Sequence, residues 1–205
     1  DSIQFVATDG YRLSFEKIPT GKKLEEASLI VPARTLLQLS RVIGEDQSAQ
    51  VKILFDRTIN QVGFEAGGAF LVSRLIDGNF PDWQKIIPQS FKTKVILSRA
   101  DFASAIKTTS VFAREAGDTV RLNFSKGLEM KTASGAGSAQ TTVPAKVDGV
   151  GPEVAFNWRY LAEALTAVPS ETVEVSIAES LSPVKFAPVK SNIDFFHIVM
   201  PVRVS

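Results

Sequence analysis

The chain repeats itself at an offset of 125 residues, and this duplication restricts the possible folds more than any other feature of the sequence. The octapeptide LIVPARTL at positions 29–36 matches VAFNWRYL at 154–161, so Arg34 aligns with Arg159, whose numbers differ by 125. Each copy predicts a short strand running into a helix, and a strand of alternating apolar residues follows each helix. Each copy then closes with a second apolar strand, at 70–76 and 195–200. A repeat at a fixed period indicates a duplicated structural module.

The second copy extends further toward its N-terminal side than the first. It is preceded by a predicted strand at 94–97, a helix at 99–112 and strands near 119–124 and 128–132. Gly10 aligns with Gly135 in a predicted hairpin turn, yet only nine residues precede Gly10, and the chain starts with Asp1 rather than methionine. We therefore expect the first module to lack its opening helix and strands, as in a fragment of a longer protein.

Prolines and turn-forming residues between positions 77 and 88 predict a linker, so we place a domain boundary near residue 92. Residues 1–92 would form a partial first domain with the linker, and residues 93–205 a complete second domain. The complete domain has the predicted order strand, helix, two or three strands, then strand, helix, three strands. This order indicates an α+β fold in which two amphipathic helices pack on one face of antiparallel sheet.

Each predicted helix has an apolar stripe opposite a polar face. The buried stripes are Phe102, Ala105, Ile106 and Thr109 in the helix at 99–112, which Ser98 caps, and Leu36, Leu39 and Ile43 in the helix at 32–43. The polar face of the helix at 99–112 carries Ser104, Lys107, Ser110 and, one turn further on, Arg114. The polar face of the helix at 32–43 carries Arg34, Gln38 and Arg41, and that of the helix at 157–168 carries Arg159, Glu163 and Thr166. Such faces are usually only solvated, but the duplicated positions of Arg34 and Arg159 favour phosphate contacts without base readout. Alternatively, Arg159 pairs with Glu163, four residues further on.

Several kinds of chemistry lack the residues they need. The chain has no cysteine and one histidine, His197, in an apolar strand where a core role is commoner than a catalytic one. The usual zinc-ligand sets therefore cannot form, and neither a G-x-x-x-x-G-K-[ST] phosphate loop nor a G-x-S-x-G turn occurs. The 23 basic and 22 acidic residues leave a net charge of +1, so any DNA contact must be local. No apolar run is long enough to span a membrane, and the lack of cysteine favours a reducing compartment such as the cytoplasm.

Three separated motifs resemble those of one known family. They are ATDGYRL at 7–13, DGNFPDW at 77–83 and VMPVR at 199–203, and their order and spacing also fit. On these residues the chain resembles the bacterial DNA polymerase III beta subunit family, the DNA sliding clamps, over essentially its whole length. It matches the second half of the family's middle domain followed by the family's complete last domain.

The resemblance implies the DNA-clamp fold and a non-catalytic role, with no catalytic residue, metal or cofactor. Clamps of this family are rings of two head-to-tail subunits whose helices line a central hole for duplex DNA. A 205-residue chain without the opening modules is not expected to close such a ring by itself. A modest basic lining contacts phosphates weakly enough to slide. The inferred DNA-facing residues are Arg34, Arg41, Lys107, Arg114 and Arg159.

The resemblance also implies a cleft that receives short linear peptides with a glutamine and hydrophobic anchors. The implied partners are the polymerase III alpha subunit, the clamp-loader delta subunit, translesion polymerases and mismatch-repair proteins, with no membrane partner. Adaptable apolar side chains beside basic groups suit such a ligand, although core packing is the simpler explanation for each apolar strand residue. The cleft residues carried over are Thr8, Gly10, Tyr11, Arg12, Leu13, Pro81, Lys85, Ile86, Val184, Ile198, Val199, Met200, Pro201, Val202 and Arg203.

The residues alone leave two other functions open. The first is a carboxylate-dependent metal hydrolase on a duplicated scaffold, which metal-dependent turnover lost on substitution of Asp9 or Asp82 would support. The second is a generic protein-interaction domain with no DNA role. Peptide binding with DNA sliding unchanged after loss of Arg34 and Arg41 would favour that domain.

Overall fold

The computed structural model describes residues 1–46 and 48–203, which form two compact units. The larger unit contains Asp1–Lys23 together with the chain from Trp83 onward, and the smaller unit contains Leu24–Asp82. Residues 204 and 205, at the end of the predicted second domain, lie outside the described residues. None of the three α-helices within the described ranges has the length and hydropathy that a bilayer crossing requires.

The larger unit is built from two antiparallel sheets and two α-helices. Its elements are β1 (Ser2–Thr8), β2 (Arg12–Pro19), a 3₁₀ helix (Trp83–Ile86), β6 (Thr93–Ser98), α2 (Arg99–Ala113), β7 (Thr119–Asn123), β8 (Leu128–Ser134), β9 (Gly137–Val143), β10 (Ala145–Asp148), β11 (Val154–Asn157), α3 (Trp158–Ala167), β12 (Thr172–Ile177), β13 (Val184–Pro188) and β14 (Asp194–Val199). The elements between them, α1 (Ala33–Ile43), β3 (Lys52–Asp56), β4 (Gln61–Ala66) and β5 (Ala69–Arg74), form the smaller unit.

One sheet joins the two ends of the chain. Its strand order is β1-β2-β14-β13-β12-β6-β10, and the second sheet of the larger unit has the order β11-β7-β8-β9. In the first sheet β2 pairs with β14, so that Arg12 lies opposite Val199 and Leu13 opposite Ile198. The β1–β2 hairpin is therefore part of the larger unit although it lies at the start of the sequence.

Both helices of the larger unit start at a side-chain cap, which supplies a partner for otherwise unpaired backbone N–H groups. The Ser98 hydroxyl accepts a hydrogen bond from the Asp101 N–H at 3.2 Å, which confirms Ser98 as the predicted cap of α2. The Asn157 side-chain oxygen accepts from the Arg159 N–H at 2.9 Å at the start of α3.

The core of the larger unit lies between its helices and sheets. Phe102, Ala105, Ile106 and Thr109, the predicted stripe of α2, are all buried, and the apolar members of this stripe pack with side chains of both sheets and of α3. Burying a side chain as large as Phe102 contributes about 2–3 kcal/mol, so this cluster accounts for much of the unit's stability. The prediction of helices on antiparallel sheet is confirmed for this unit.

The smaller unit has α1 against the three-stranded sheet β3-β4-β5. Leu39, Val62, Phe64 and Ala66 form its core, with the predicted stripe residues Leu36 and Ile43 half-buried against them. On the other face of the sheet, Gly63 leaves the space that the Phe70 ring occupies, since a Cβ there would lie 2.9 Å from the ring.

Four details of the sequence-based prediction differ from the structure. Residues 29–31 are not a strand, and α1 begins at Ala33 with Pro32 at its cap position. Ser110, predicted on the polar face of α2, is buried and its hydroxyl donates to the Lys107 carbonyl at 2.8 Å. Strand β10 was not predicted; its register pairs Val147 with Val95 on β6.

Candidate functional site

The turn between β1 and β2 is held by two side chains of the ATDGYRL motif. The Asp9 carboxylate accepts hydrogen bonds from the N–H groups of Tyr11 and Arg12, each at 3.0 Å. The Thr8 hydroxyl donates to the Arg12 carbonyl at 2.8 Å and accepts from the Gly10 N–H at 3.1 Å. Gly10 has φ +87°, a left-handed conformation that glycine adopts without steric cost. These contacts fix the turn and leave the Tyr11 side chain 62% exposed.

Arg12 links this turn to helix α3. Its Nε donates to Asp9 Oδ2 at 3.0 Å, and its Nη1 donates to Glu163 Oε2. The guanidinium lies 4.7 Å above the centre of the Tyr160 ring, a cation–π contact, and Tyr11 stacks on the same ring with 6.1 Å between centroids. One aromatic ring and two carboxylates therefore contact this cation, and Tyr11 stacks on the same ring.

The charges in this cluster stabilise one another. Partial burial raises the pKa of Asp9, but hydrogen bonds from the Tyr11 and Arg12 N–H groups and from the Arg12 guanidinium outweigh that effect and leave the pKa below its ordinary value. Burial likewise lowers the pKa of Arg12, yet its hydrogen bonds to Glu163 and Asp9 raise it overall. Asp9 and Arg12 are therefore both charged near neutral pH.

The end of the described chain lies against this turn. Met200 follows β14, and its N–H donates to the Tyr11 carbonyl at 2.8 Å. Two residues on, the Val202 N–H donates to the Ala155 carbonyl at 2.8 Å. Pro201 between them has no N–H to donate, so the β14 ladder ends here and the segment crosses toward β11. Met200, Pro201 and Val202 are half-buried and Arg203 is exposed.

The 3₁₀ helix of the DGNFPDW region packs on the same sheet through Trp83. The centroid of the Trp83 ring lies 5.1 Å from that of the Phe15 ring on β2 and 6.3 Å from that of the Phe196 ring on β14. This anchor leaves Lys85 exposed and Ile86 37% exposed beside the sheet. The turn, the 3₁₀ helix and residues 200–203 come from three distant parts of the sequence, and we call them together the peptide face.

The predicted cleft residues differ in accessibility. The side chains of four are core residues: Leu13, Val184, Ile198 and Val199 are at most 2% exposed. For these four the simpler explanation, core packing, describes the side chain. Leu13 and Ile198 belong to a small cluster against which Trp83 packs, whereas Val184 and Val199 belong to the main core of the larger unit. Pro81 belongs to the smaller unit and is exposed. The other residues carried over, Thr8, Gly10, Tyr11, Arg12, Lys85, Ile86, Met200, Pro201, Val202 and Arg203, lie on the larger unit and are exposed or half-buried.

His197 lies on β14, opposite Ser14 of β2. It is 5% exposed, its Nδ1 is hydrogen-bonded to the Ser14 hydroxyl at 2.7 Å, and its buried Nε2 has no protein partner among the described residues. Burial and, to a smaller extent, the charge of Arg12 lower the pKa of His197 to about 4, with Glu163 and Asp9 partly opposing this shift. The imidazole is therefore neutral at pH 7, consistent with the core role that the sequence favoured.

Two of the basic candidates on the larger unit lie over the ring of Trp158 at the start of α3. Arg159 and Arg114 lie over its ring, at 4.6 Å and 5.7 Å from the centroid. Arg159 also pairs with Asp118, Nε to Oδ2 at 3.2 Å, so the proposed pairing of Arg159 with Glu163 is wrong, since Glu163 pairs with Arg12. Hydrogen bonds from Arg159 and then from Trp158 hold the pKa of Asp118 below its ordinary value.

Three other basic candidates are more available for phosphate. Lys107 on α2 and, in the smaller unit, Arg34 and Arg41 on α1 are exposed. Within residues 1–46 and 48–203, no side-chain hydrogen bond or ion pair engages any of the three. Exposed cations without an internal partner retain their full charge toward a ligand.

Sequence reasoning missed the contribution of α3 to the peptide face. Tyr160 and Glu163 contact Arg12, but they lie 148 and 151 positions further along the chain, and helical spacing indicates only that Glu163 is on a polar face. Asp9, considered for a metal-dependent hydrolase, is committed to its own turn and to Arg12. In the part of the chain that the structure describes, no three His, Cys, Asp or Glu side chains form a group that could hold a metal ion.

Comparisons with known proteins agree with this architecture. The family model for the DNA polymerase III beta subunit central domain matches residues 1–82, and the model for its C-terminal domain matches residues 84–203. The beta sliding clamp of Synechocystis sp. is 31% identical over 220 residues, which cover 99% of this chain and 56% of that protein.

Solved structures give the same answer. The DNA polymerase III beta chain of Streptococcus pneumoniae has a TM-score of 0.91 at 27% identity and covers 99% of this chain and 54% of that one. The sliding clamp of Pseudomonas aeruginosa bound to griselimycin has a TM-score of 0.87 at 26% identity, over 99% and 55% of the two chains. The chain thus spans about half the length of the relatives it matches. With both family domains matched in order over nearly every residue, this chain belongs to the DNA polymerase III beta subunit family, the bacterial sliding clamps.

Proposed function

We propose that this chain is part of a sliding clamp that encircles duplex DNA and tethers the replicative polymerase and other proteins to it. It acts without an active site or cofactor of its own, in the bacterial cytoplasm. Residues 1–92 are the partial middle domain with its linker, and residues 93–205 the last domain. In its full-length form the protein is a head-to-tail homodimer.

One observation carries the proposal: residues of three family motifs, separated by more than 60 residues in sequence, lie at one sheet of the larger unit. They are the turn before β2, Trp83 packed on β2 and β14, and residues 200–203 after β14. The face combines half-buried Met200 and Val202, partly exposed Ile86 and an exposed Tyr11 with the cation of Arg12. Flexible apolar side chains beside a few polar groups suit a short linear peptide, because they adapt to anchors and orient the polar residues between them. The griselimycin complex of the Pseudomonas clamp supports a ligand-binding role in the family.

The charge distribution supports encirclement rather than tight DNA binding. The net charge of +1 gives little overall attraction to phosphate, whereas Arg34, Arg41 and Lys107 are exposed cations on helices. Arg114 and Arg159 complete the proposed DNA-facing set, held over Trp158. Phosphate contacts of this kind are independent of sequence and weaken with salt, so they allow sliding.

The peptide partners are the polymerase III alpha subunit, the clamp-loader delta subunit, translesion polymerases and mismatch-repair proteins, all through linear motifs. The test is titration of the 205-residue chain with a fluorescent peptide that carries a clamp-binding motif, beside a scrambled peptide. Met200→Ala removes an accessible side chain from the peptide face, and Val111→Ala, on an exposed α2 position, is the matched control.

Saturable binding of the motif peptide alone, weakened about ten-fold or more by Met200→Ala and unchanged in the control, is the expected result. A folded protein that binds neither peptide, or that binds both equally, would contradict the proposal. Circular dichroism of each variant confirms that a loss of binding is not a loss of fold.

A further inference from the structure

Arg12 has two carboxylate partners, and they differ in what else they do. Asp9 lies in the same turn as Arg12 and also accepts two backbone N–H groups, so its carboxylate is needed to form the turn. Glu163 lies on α3, and among the described residues its side chain has no hydrogen-bond partner other than Arg12. Asp9 therefore stabilises the turn as well as Arg12, whereas Glu163, within the described part of the chain, is bonded only to Arg12.

The Arg12–Glu163 pair is well placed to be exchanged. The Glu163 side chain is 60% exposed and that of Arg12 is 25% exposed. Solvent-exposed ion pairs are weak, because water and salt screen the charges and side-chain entropy opposes the contact. The guanidinium itself is held in place by Asp9 and the Tyr160 ring, so it keeps its position when Glu163 leaves.

Both groups border the peptide face. Arg12 is a member of it, and the Met200 N–H is bonded to the Tyr11 carbonyl, one residue from Arg12. A peptide carboxylate that pairs with Arg12 through two parallel hydrogen bonds would compete with Glu163 for the positive charge of the guanidinium and for its Nη1 donor.

We propose that Glu163 is a specificity-determining residue of the peptide face, an internal competitor whose carboxylate occupies Arg12 and lowers the affinity of peptides that offer a carboxylate there. The inference rests on the proposed peptide binding. Neutral peptides bind with the Arg12–Glu163 pair intact, whereas a peptide carboxylate at Arg12 competes with Glu163 for the guanidinium.

The ligand group is a carboxylate, which a peptide supplies either from an Asp side chain or from its free C-terminus. The experiment uses the motif peptide as parent and moves a single Asp through its non-anchor positions, each compared with Asn at the same position. A second pair compares the free C-terminus with its amide. The Asp/Asn and acid/amide affinity ratios are measured on the unmodified chain, on Glu163→Gln and on Glu179→Gln.

The two substitutions form a matched pair. Glu179, like Glu163, is an exposed glutamate in an ion pair, with Lys92 Nζ at 2.9 Å, so its substitution removes the same charge from the surface of the same unit without touching Arg12. A general effect of net charge would therefore change the ratios equally in both variants.

For at least one Asp position, or for the free C-terminus, Glu163→Gln should raise the affinity ratio about three- to five-fold, while Glu179→Gln leaves it unchanged. The position identifies which source of carboxylate reaches Arg12. In an Arg12→Gln background the effect of Glu163→Gln should disappear, as a double-mutant cycle requires.

The proposal is overturned if the parent peptide binds normally but Glu163→Gln changes no ratio, or if Glu179→Gln changes the ratios equally. If the parent peptide does not bind the unmodified chain at all, the proposed function fails first, and this inference falls with it. The two failures are thus distinguishable in one set of titrations.

Discussion

Acidification from about pH 7 to about pH 5 should destabilise the larger unit through His197, its one histidine. The imidazole is 5% exposed, its Nδ1 is bonded to Ser14, and burial lowers its pKa to about 4 from an ordinary value of 6.5. The unfolded chain therefore binds a proton in a pH range where the folded chain does not. Stability is full above pH 6.5 and is lost as the pH falls from there toward 4.

The size of the effect follows from the two pKa values. Between about pH 7 and about pH 5, protonation of the unfolded chain lowers the free energy of unfolding by roughly 2 kcal/mol. The total loss reaches roughly 3 kcal/mol at a pH below about 4, where the folded form is also protonated. The pKa values of Asp9 and Asp118 are shifted downward, so loss of their contributions requires a pH below the ordinary value of 3.8. The interval above pH 5 therefore isolates the histidine.

Urea unfolding followed by tryptophan fluorescence measures this directly, because both tryptophans, Trp83 and Trp158, lie in the larger unit. With a slope of about 2 kcal/mol per molar urea, the midpoint should fall by about 1 M between the two pH values. In His197→Asn the amide can keep a hydrogen bond to Ser14 but does not titrate. This variant should be less stable at both pH values, because it leaves a void, and nearly independent of pH between them.

Two results would refute the reasoning. A midpoint in the unmodified protein that does not move between pH 7 and pH 5 would mean that the imidazole is as easily protonated in the fold as in the unfolded chain. An equal shift in His197→Asn would assign the pH dependence to other groups.

Three further outcomes follow from packing and charge. Leu13→Ala should lower the free energy of unfolding by roughly 2–5 kcal/mol in urea, since the side chain is 2% exposed; a stable variant defective only in peptide binding would contradict its core position. Gly149→Ala should lower the free energy of unfolding by more than about 2 kcal/mol, because Gly149 has φ +98° and a Cβ there would collide with the Lys92 carbonyl oxygen. An unchanged Tm in this variant would contradict that expectation. In the full-length ring, Lys107→Gln should reduce the salt dependence of DNA retention by up to about one unit in the slope of log affinity against log salt concentration. Arg159→Gln should reduce this slope by less, because Arg159 is already paired with the Asp118 carboxylate. Equal slopes in the two variants would show that the pairing has no effect.

The repeat and the helical periodicity predicted the local structure of this chain well. The cap at Ser98, the stripe of α2 and the hairpins around Gly10 and Gly135 are present, because each depends on residues close together in sequence. Helical spacing wrongly predicted that Ser110 is exposed. Its hydroxyl donates a hydrogen bond to the Lys107 carbonyl, so the side chain can be buried without an unpaired polar group.

Long-range pairing was not predictable from the same signals. Nothing in the hairpin at 2–19 indicates that β2 pairs with β14, and this pairing places Leu13 and Ile198 in a core while it exposes Tyr11. The partner of Arg12 likewise depends on where α3 lies in space. From the sequence alone, the spacing of four offered Arg159 only as an alternative partner for Glu163. The family motifs predicted which residues form the peptide face, whereas burial, which separates core residues such as Leu13 from accessible ones such as Tyr11, required the fold.

The most direct test of the account is a crystal structure of this chain with a clamp-binding peptide. The peptide should lie on the peptide face, in contact with Tyr11, Ile86 and Met200, with Leu13 and Ile198 beneath it. A peptide bound on another surface of a correctly folded chain would contradict the assignment of the site.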